Sequence, residues 1–344
     1  MSRHYFDANA STPPHPEAVE AVRRAMAEDW ANPTSTHREG QRARYRIEEA
    51  RREIATSLGV PPGELIFCSS ATEALHLLIR GLQPALGERP AAVFPGEHSA
   101  CLNPLRDWSR VAWLPELAPD CATLVQMAAN NETGLLYVMP SVLDAVRIKD
   151  CAQAWGKVPV DLADGDAAVF SGHKMGGPRG VGLLWMRPGL PWEPVMEGPQ
   201  ERRRRGGTED LPAILGLTKA VQHLPERLGL NASLARLRDA FETEVLTWDG
   251  GIEVIGRGAP RLPNTSCLLF RGRNGEALHV ALDMAGFAVS TGSACHSGSV
   301  KPSHAITAMG YSLEEARSVL RFSMLPDARP DEVEALLAAI KRLM

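Results

Sequence analysis

The sequence predicts an α/β protein, with a larger domain built on a mainly parallel sheet and a smaller α+β domain completing the chain. Short apolar runs recur at 65–68, 91–94, 111–114, 122–128, 167–170 and 181–186. Such runs read as strands covered on both faces, and the helical or looped segments between them give the rhythm of a sheet between helix layers. From about Leu211 the texture changes. Leu234, Leu237, Phe241 and Val245 repeat at helical spacing, ahead of strands at 252–255 and 267–270, a helix from Glu276 and a last helix over 331–344. A chain of 344 residues, 44% hydrophobic, can bury a large core and suits two unequal domains. Earlier in the chain, Ile47, Arg51, Ile54 and Leu58 share one face of a helix over 44–58, and Gly59 stands where a C-cap belongs.

Bulk properties exclude several classes. A formal net charge of -4 gives no reason to expect nucleic acid as a partner. The one dense basic cluster, Arg202-Arg203-Arg204-Arg205, reads as a solvated loop. No apolar stretch approaches the roughly 20 residues that span a bilayer, and the opening MSRHYFDANA has no apolar signal core, so a cytoplasmic protein without a membrane partner is expected. Cys68, Cys101, Cys121, Cys151, Cys267 and Cys295 are scattered with no CxxC pair. That argues against a zinc site or a disulfide framework; no metal is expected, and most of these thiols should be buried.

Four segments carry chemistry. Lys174 lies in Ser171-Gly172-His173-Lys174-Met175-Gly176-Gly177-Pro178-Arg179-Gly180, directly after a strand. A lysine on flexible glycine-rich backbone suits a Schiff-base amine; it also suits a surface lysine in a glycine turn. Ser70-Ala71-Thr72-Glu73 has the spacing of a capping box, and a helix N-terminus can hold phosphate. Asp150-Cys151-Ala152-Gln153 offers a carboxylate for a protonated ring nitrogen and an amide for a ring oxygen, or merely a turn. Cys295 sits in Ser290-Thr291-Gly292-Ser293-Ala294-Cys295-His296-Ser297-Gly298, poor core material and a good place for an exposed, activatable thiol.

In this order the segments resemble the cysteine desulfurases, pyridoxal-phosphate (PLP) enzymes of the class V aminotransferase fold, nearly end to end. The likeness begins with Phe6-Asp7-Ala8-Asn9-Ala10-Ser11-Thr12-Pro13 and Asn32-Pro33-Thr34-Ser35-Thr36-His37. It runs through Ala71-Thr72-Glu73, Glu97-His98-Ser99, Asn130-Asn131-Glu132-Thr133-Gly134 and Ser171-Gly172-His173-Lys174. It ends on Arg205-Gly206-Gly207-Thr208, Ser290 to Cys295 and Val319-Leu320-Arg321-Phe322-Ser323.

The resemblance implies a PLP-dependent transferase fold, with a large domain over 13–228 and a small one from 1–12 and 229–344. It implies that Lys174 binds the cofactor and moves the substrate's Cα proton, while His98 stacks on the ring as a candidate acid/base. Asp150 would face the ring nitrogen, with Gln153 and Asn131 on the ring oxygen. Ala71, Thr72, Ser171 and His173 would hold the phosphate, joined by Thr208 from the other subunit of a homodimer. Arg321, with Asn131, would bind the carboxylate of L-cysteine. Cys295 would take the sulfur as persulfide, on a long loop, and pass it to an acceptor protein such as an iron–sulfur cluster assembly scaffold. Selenocysteine lyase, another β-eliminating enzyme of the fold, or a non-catalytic scaffold are the alternatives. The chain departs from the family pattern in several places, among them Met324-Leu325-Pro326-Asp327, where the family usually has a Gly and a Thr. Leu75-His76 replaces an asparagine pair; 98–130 and 134–150 are short; and the strand before Asp150 carries Arg147 and Lys149 where a central strand is normally apolar.

Overall fold

A computed structural model describes residues 3–115, 120–141, 144–248, 251–291 and 302–344. The chain divides into two compact units. Pro13–Ala128 and Tyr137–Pro225 form the larger; Met1–Thr12, Ala129–Leu136 and Glu226–Met344 form the smaller. In chain order, strand β1 (His4–Tyr5) precedes helices α1 (Pro16–Glu28) and α2 (Arg38–Leu58), then β2 (Leu65–Cys68), α3 (Ala71–Leu86), β3 (Ala91–Val93) and the single turn α4 (Ser99–Leu102). Strands β4 (Val111–Trp113), β5 (Thr123–Met127), β6 (Val146–Asp150), β7 (Ala167–Ser171) and β8 (Gly182–Met186) follow, then α5 (Leu211–Gln222), α6 (Leu224–Gly229) and α7 (Asn231–Leu246). The chain closes with β9 (Ile252–Val254), β10 (Thr265–Phe270), α8 (Gly275–Met284), β11 (Phe287–Ala288), α9 (His304–Ala308), α10 (Leu313–Arg317), β12 (Val319–Ser323) and α11 (Pro330–Leu343).

The larger unit is built on a seven-stranded sheet in the order β2-β8-β7-β6-β5-β3-β4. Strands β4, β3, β5, β6 and β7 are parallel in turn, while β8 runs antiparallel to both β7 and β2. All but β8 therefore point one way, and their carboxyl ends share an edge. Every residue of β2, β3, β5, β7 and β8 is buried, as continuous apolar runs covered on both faces should be.

Charged β6 is a central strand all the same. Arg147 pairs with Asp166 at 3.1 Å, and Lys149 Nζ donates to the Asp161 carbonyl at 2.7 Å and to Asp164. The turn leading into β7 thus supplies an acceptor for each charge, which lets a strand with two cations sit inside a sheet.

Helix α2 starts earlier than its apolar stripe predicts, at Arg38, because its first turns bury small residues instead. A Cβ on Gly40 would lie 2.6 Å from the Ser35 carbonyl oxygen. It ends as expected, with Gly59 left-handed at φ 68°. Helices α1 and α5 pack closely through Gly216, where a Cβ would meet Val22 Cγ2 at 2.6 Å.

The basic run is not simply a solvated loop. Arg202 and Arg203 are exposed, but Arg204 donates to the carbonyls of Glu201 and Leu65, and Arg205 forms an ion pair with Glu73 at 2.8 Å. Glu201, fully buried, takes both nitrogens of buried Arg51 at 2.7 and 2.8 Å and the Phe67 N–H at 2.8 Å. This anchor holds Glu201, Arg202 and Arg203 at φ of 46°, 59° and 66°, a left-handed turn that non-glycine residues rarely adopt.

The smaller unit pairs an antiparallel sheet, β12-β10-β9, with α7, α8 and α11 around Phe241, Phe270, Phe322 and Leu336. The short strands β1 and β11 add a parallel pair. Five cysteines are buried and free; Cys295, with 292–301, lies outside the described residues. Among the described residues no helix is long and apolar enough to cross a membrane.

Candidate active site

Sheet direction brings the sequence motifs of the larger unit to one edge. Beyond the carboxyl end of β2 come Ser70 and the first turn of α3; beyond β3, His98; at the end of β6, Asp150; and beyond β7, Ser171 to Lys174. In parallel α/β sheets this is the edge where ligands bind.

At the first of these, Ser70 caps α3 by accepting the Glu73 N–H at 3.1 Å. The expected capping box is altered. Glu73 takes the N–H of Ser69, and Arg205 holds its carboxylate. Ala71 and Thr72 occupy the turn whose N–H groups a helix leaves without intrahelical acceptors, Thr72 exposed. Gly182 lets β8 pass beside this turn, since a Cβ there would lie 2.6 Å from the Ser70 carbonyl carbon.

Lys174 ends a 3-10 turn, Gly172–Lys174, that follows β7 directly. The glycines around it serve space and backbone shape more than mobility. A Cβ on Gly172 would lie 2.9 Å from the Val181 carbonyl, one on Gly177 2.9 Å from the Gly172 carbonyl, and Gly176 takes φ 87°. His173 has its pKa lowered to about 4 by burial and by the nearby charges of Lys174, Arg179 and Lys157. It is therefore neutral at pH 7 with three cations close enough to depress it, and Ser171, two residues before it, is buried.

Asp150 is buried, and its Oδ1 accepts the Ala152 N–H at 2.8 Å, fixing the turn into Gln153. Gln153 is buried too, and its Oε1 accepts from the ammonium of buried Lys157. Lysine can only donate, so this contact fixes which end of the amide is oxygen. His98, exposed, caps α4 through Nδ1, which accepts the Ala100 N–H at 3.1 Å. Thr208 is exposed, one residue past Gly207 with its φ of 97°.

In the smaller unit Arg321 lies on β12. It donates to the Asn131 carbonyl at 2.8 Å and to the Asp7 carboxylate, while its buried Nε has no hydrogen-bond partner among the described residues. The Asn131 contact is made by its backbone. Cys295 lies outside the described residues.

Several further residues join these clusters that no motif pointed to. Glu97, fully buried, accepts the Met127 N–H at 2.6 Å; burial first, then the charge of Asp150, pushes its carboxyl well above the ordinary range. Glu132 has its carboxyl raised by burial, against the pull of Ser303, Arg321 and His304. Lys157 and Asp7 complete the group. Glu97 and Glu132 sit inside quoted motifs, but nothing in a linear sequence marks a carboxyl as buried.

The residues of the larger unit fit PLP. A helix N-terminus and a cationic patch suit its phosphate, the buried Asp150 carboxylate suits a protonated ring nitrogen, and Lys174 offers the amine. Residues 4–336 match the family model described as aminotransferase class-V. A cysteine desulfurase of Cereibacter sphaeroides is 35% identical over 370 residues, covering 99% of this chain and 95% of the relative. The chain belongs to the cysteine desulfurases of the class-V aminotransferase family. Among solved structures, this desulfurase-family chain is similar to a NifS-like protein at 28% identity and a TM-score of 0.88, with 99% of each chain covered. It is also similar to SspA, solved in complex with cysteine, at 28% identity and a TM-score of 0.79, over 94% of this chain and 99% of that one. Like its family, it is PLP-dependent.

Proposed function

We propose that this chain converts L-cysteine to L-alanine as a homodimer, carries the released sulfur on Cys295 as a persulfide and hands it to an acceptor protein. One observation supports Cys295 above all: burial raises the thiol pKa of Cys68, Cys101, Cys121, Cys151 and Cys267, so none of the described cysteines is a ready nucleophile. Free thiols throughout the described residues suit a reducing, cytoplasmic setting.

When bound, PLP supplies the electron sink that makes the substrate's Cα proton removable. Lys174 holds the cofactor and moves that proton. Asp150, as a carboxylate, keeps the ring nitrogen protonated. Gln153 presents its amide N–H groups to the ring oxygen, since Lys157 occupies its Oε1. Neutral His173 donates to the phosphate beside Ser171, Ala71 and Thr72; Thr208 does so from the partner subunit. Exposed His98 offers a ring face for stacking and a nitrogen for proton transfer. Arg321, oriented by Asp7, takes the substrate carboxylate. Cys295, as thiolate, attacks the substrate sulfur. The S–S bond forms as the Cβ–S bond breaks, and the β carbon is protonated before alanine leaves. The similarity to SspA, solved with cysteine, supports this substrate.

Purified protein incubated with L-cysteine and a reductant should release alanine and sulfide in equal amounts. Alanine absent under those conditions, with PLP bound, would overturn the proposal.

A further inference from the structure

Away from the candidate active site, the larger unit gathers His15, Glu17 and His223, and we propose that these three form a binding site for a divalent first-row transition ion, zinc foremost. The fold makes the cluster. His15 is the N-cap of α1, Glu17 lies in its first turn, and His223 is the C-cap of α5. Because Gly216 lets α5 press against Val22 of α1, these two helix ends come face to face.

One potential ligand atom from each side chain lies within 4.8 Å of the others. His223 Nε2 and Glu17 Oε1 are 3.3 Å apart. Two ligands about 2.0–2.1 Å from a tetrahedral ion lie roughly 3.3 Å apart, so this pair already has the spacing an ion requires. The imidazoles of His15 and His223 stack with centroids 3.7 Å apart and planes 26° from parallel, so to bind one ion the rings must turn about their side-chain bonds until their in-plane lone pairs converge. His15 Nδ1 accepts the Glu17 N–H at 3.3 Å, so that nitrogen is the unprotonated one and its lone pair, engaged by the N–H, is the one an ion would have to take. The hydrogen bond is long, and an ion that took the lone pair would give up little.

The backbone under the cluster is fixed. The His15 N–H donates to the Gly176 carbonyl at 2.8 Å, in the turn that follows Lys174. Two imidazoles and a carboxylate are a donor set for zinc and its neighbours rather than for magnesium or calcium. The Glu17 side chain is exposed and His15 and His223 are partly so, which leaves an entry path and a fourth position for water. An ion there would clamp α1 to α5 and brace the Lys174 turn from behind.

The test uses the full chain with Cys295→Ser, so that the thiol does not compete, after chelator treatment and dialysis. Calorimetric titration with zinc chloride should give one ion per chain with Kd of about 1 μM or tighter, and zinc should raise the melting temperature. Glu17→Gln, exposed and harmless to folding, should weaken zinc at least about tenfold and leave the metal-free melting temperature unchanged. His223→Asn should abolish saturable binding. Cobalt(II) should give visible d–d bands that both substitutions reduce. Zinc affinity unchanged in Glu17→Gln and His223→Asn, or no saturable binding by the parent chain, would overturn the site and leave only a stacked histidine pair.

Discussion

His173 shows how a single side chain takes its chemistry from its surroundings. Its pKa is lowered to about 4 from the ordinary 6.5, by burial and then by Lys174, Arg179 and Lys157. An unfolded chain takes up this proton near pH 6.5, whereas the folded chain refuses it until about pH 4. Stability should therefore fall as pH drops through that window and be insensitive to this group above it. Urea midpoints measured from pH 7.5 to 4 should decline, and His173→Gln should flatten the slope; a slope the substitution leaves unchanged would assign it to other groups. Glu97 follows the same logic with the opposite sign. Burial and the Asp150 charge push its carboxyl well above the ordinary range and so favour the neutral form, so Glu97→Gln should cost under about 1 kcal/mol, while Glu97→Leu leaves the Met127 N–H without its acceptor and should cost about 1–3 kcal/mol. Chemistry separates Lys174 from Cys295. Borohydride should fix the cofactor to Lys174, and Lys174→Ala should abolish alanine formation. Cys295→Ser should still exchange the substrate's Cα proton with solvent but form neither persulfide nor alanine. Mass spectrometry after brief exposure to L-cysteine should find one added sulfur on Cys295 in the parent chain. An adduct on another cysteine would reassign the acceptor.

Among elements, the turn that carries Arg205 and Thr208 depends on a distant ion pair. Arg51 and Glu201 are both buried, and together they hold three left-handed residues beside β2. Removing one partner strands a buried charge. Arg51→Met or Glu201→Gln should cost on the order of 3–5 kcal/mol in urea unfolding. A double change, Arg51→Met with Glu201→Leu, should cost less than the two single effects added together. The length of the helix 44–58 was only partly readable for the opposite reason: its first turns bury Gly40 and Ala43, which leave no apolar stripe. Strand β6 was read in place, with its charges, but its acceptors Asp161, Asp164 and Asp166 became meaningful only once the turn folded back on it.

At the scale of the molecule, two chains should be needed for a complete site. Thr208 is exposed in the single chain, which suits a residue that works in a neighbour's site. Sedimentation should find a dimer, and Thr208→Ala should weaken PLP binding about ten- to a hundredfold, the worth of one hydrogen bond to a charged group. A monomer that binds PLP as tightly as the parent would refute the shared site. Motif order along the chain determined the family, the cofactor chemistry and the candidate residues, because a turn that follows a strand keeps its residues adjacent in sequence. The α/β character was equally legible, since buried strands must be apolar runs. Only the tertiary structure decided what depends on segments far apart meeting: that Arg205 binds Glu73, that Ala129–Leu136 joins the smaller unit, that Glu97 is buried against the Met127 backbone, and that His15 and Glu17 face His223. Burial and proximity in space set charge state and metal affinity, and neither is written in the linear order of residues.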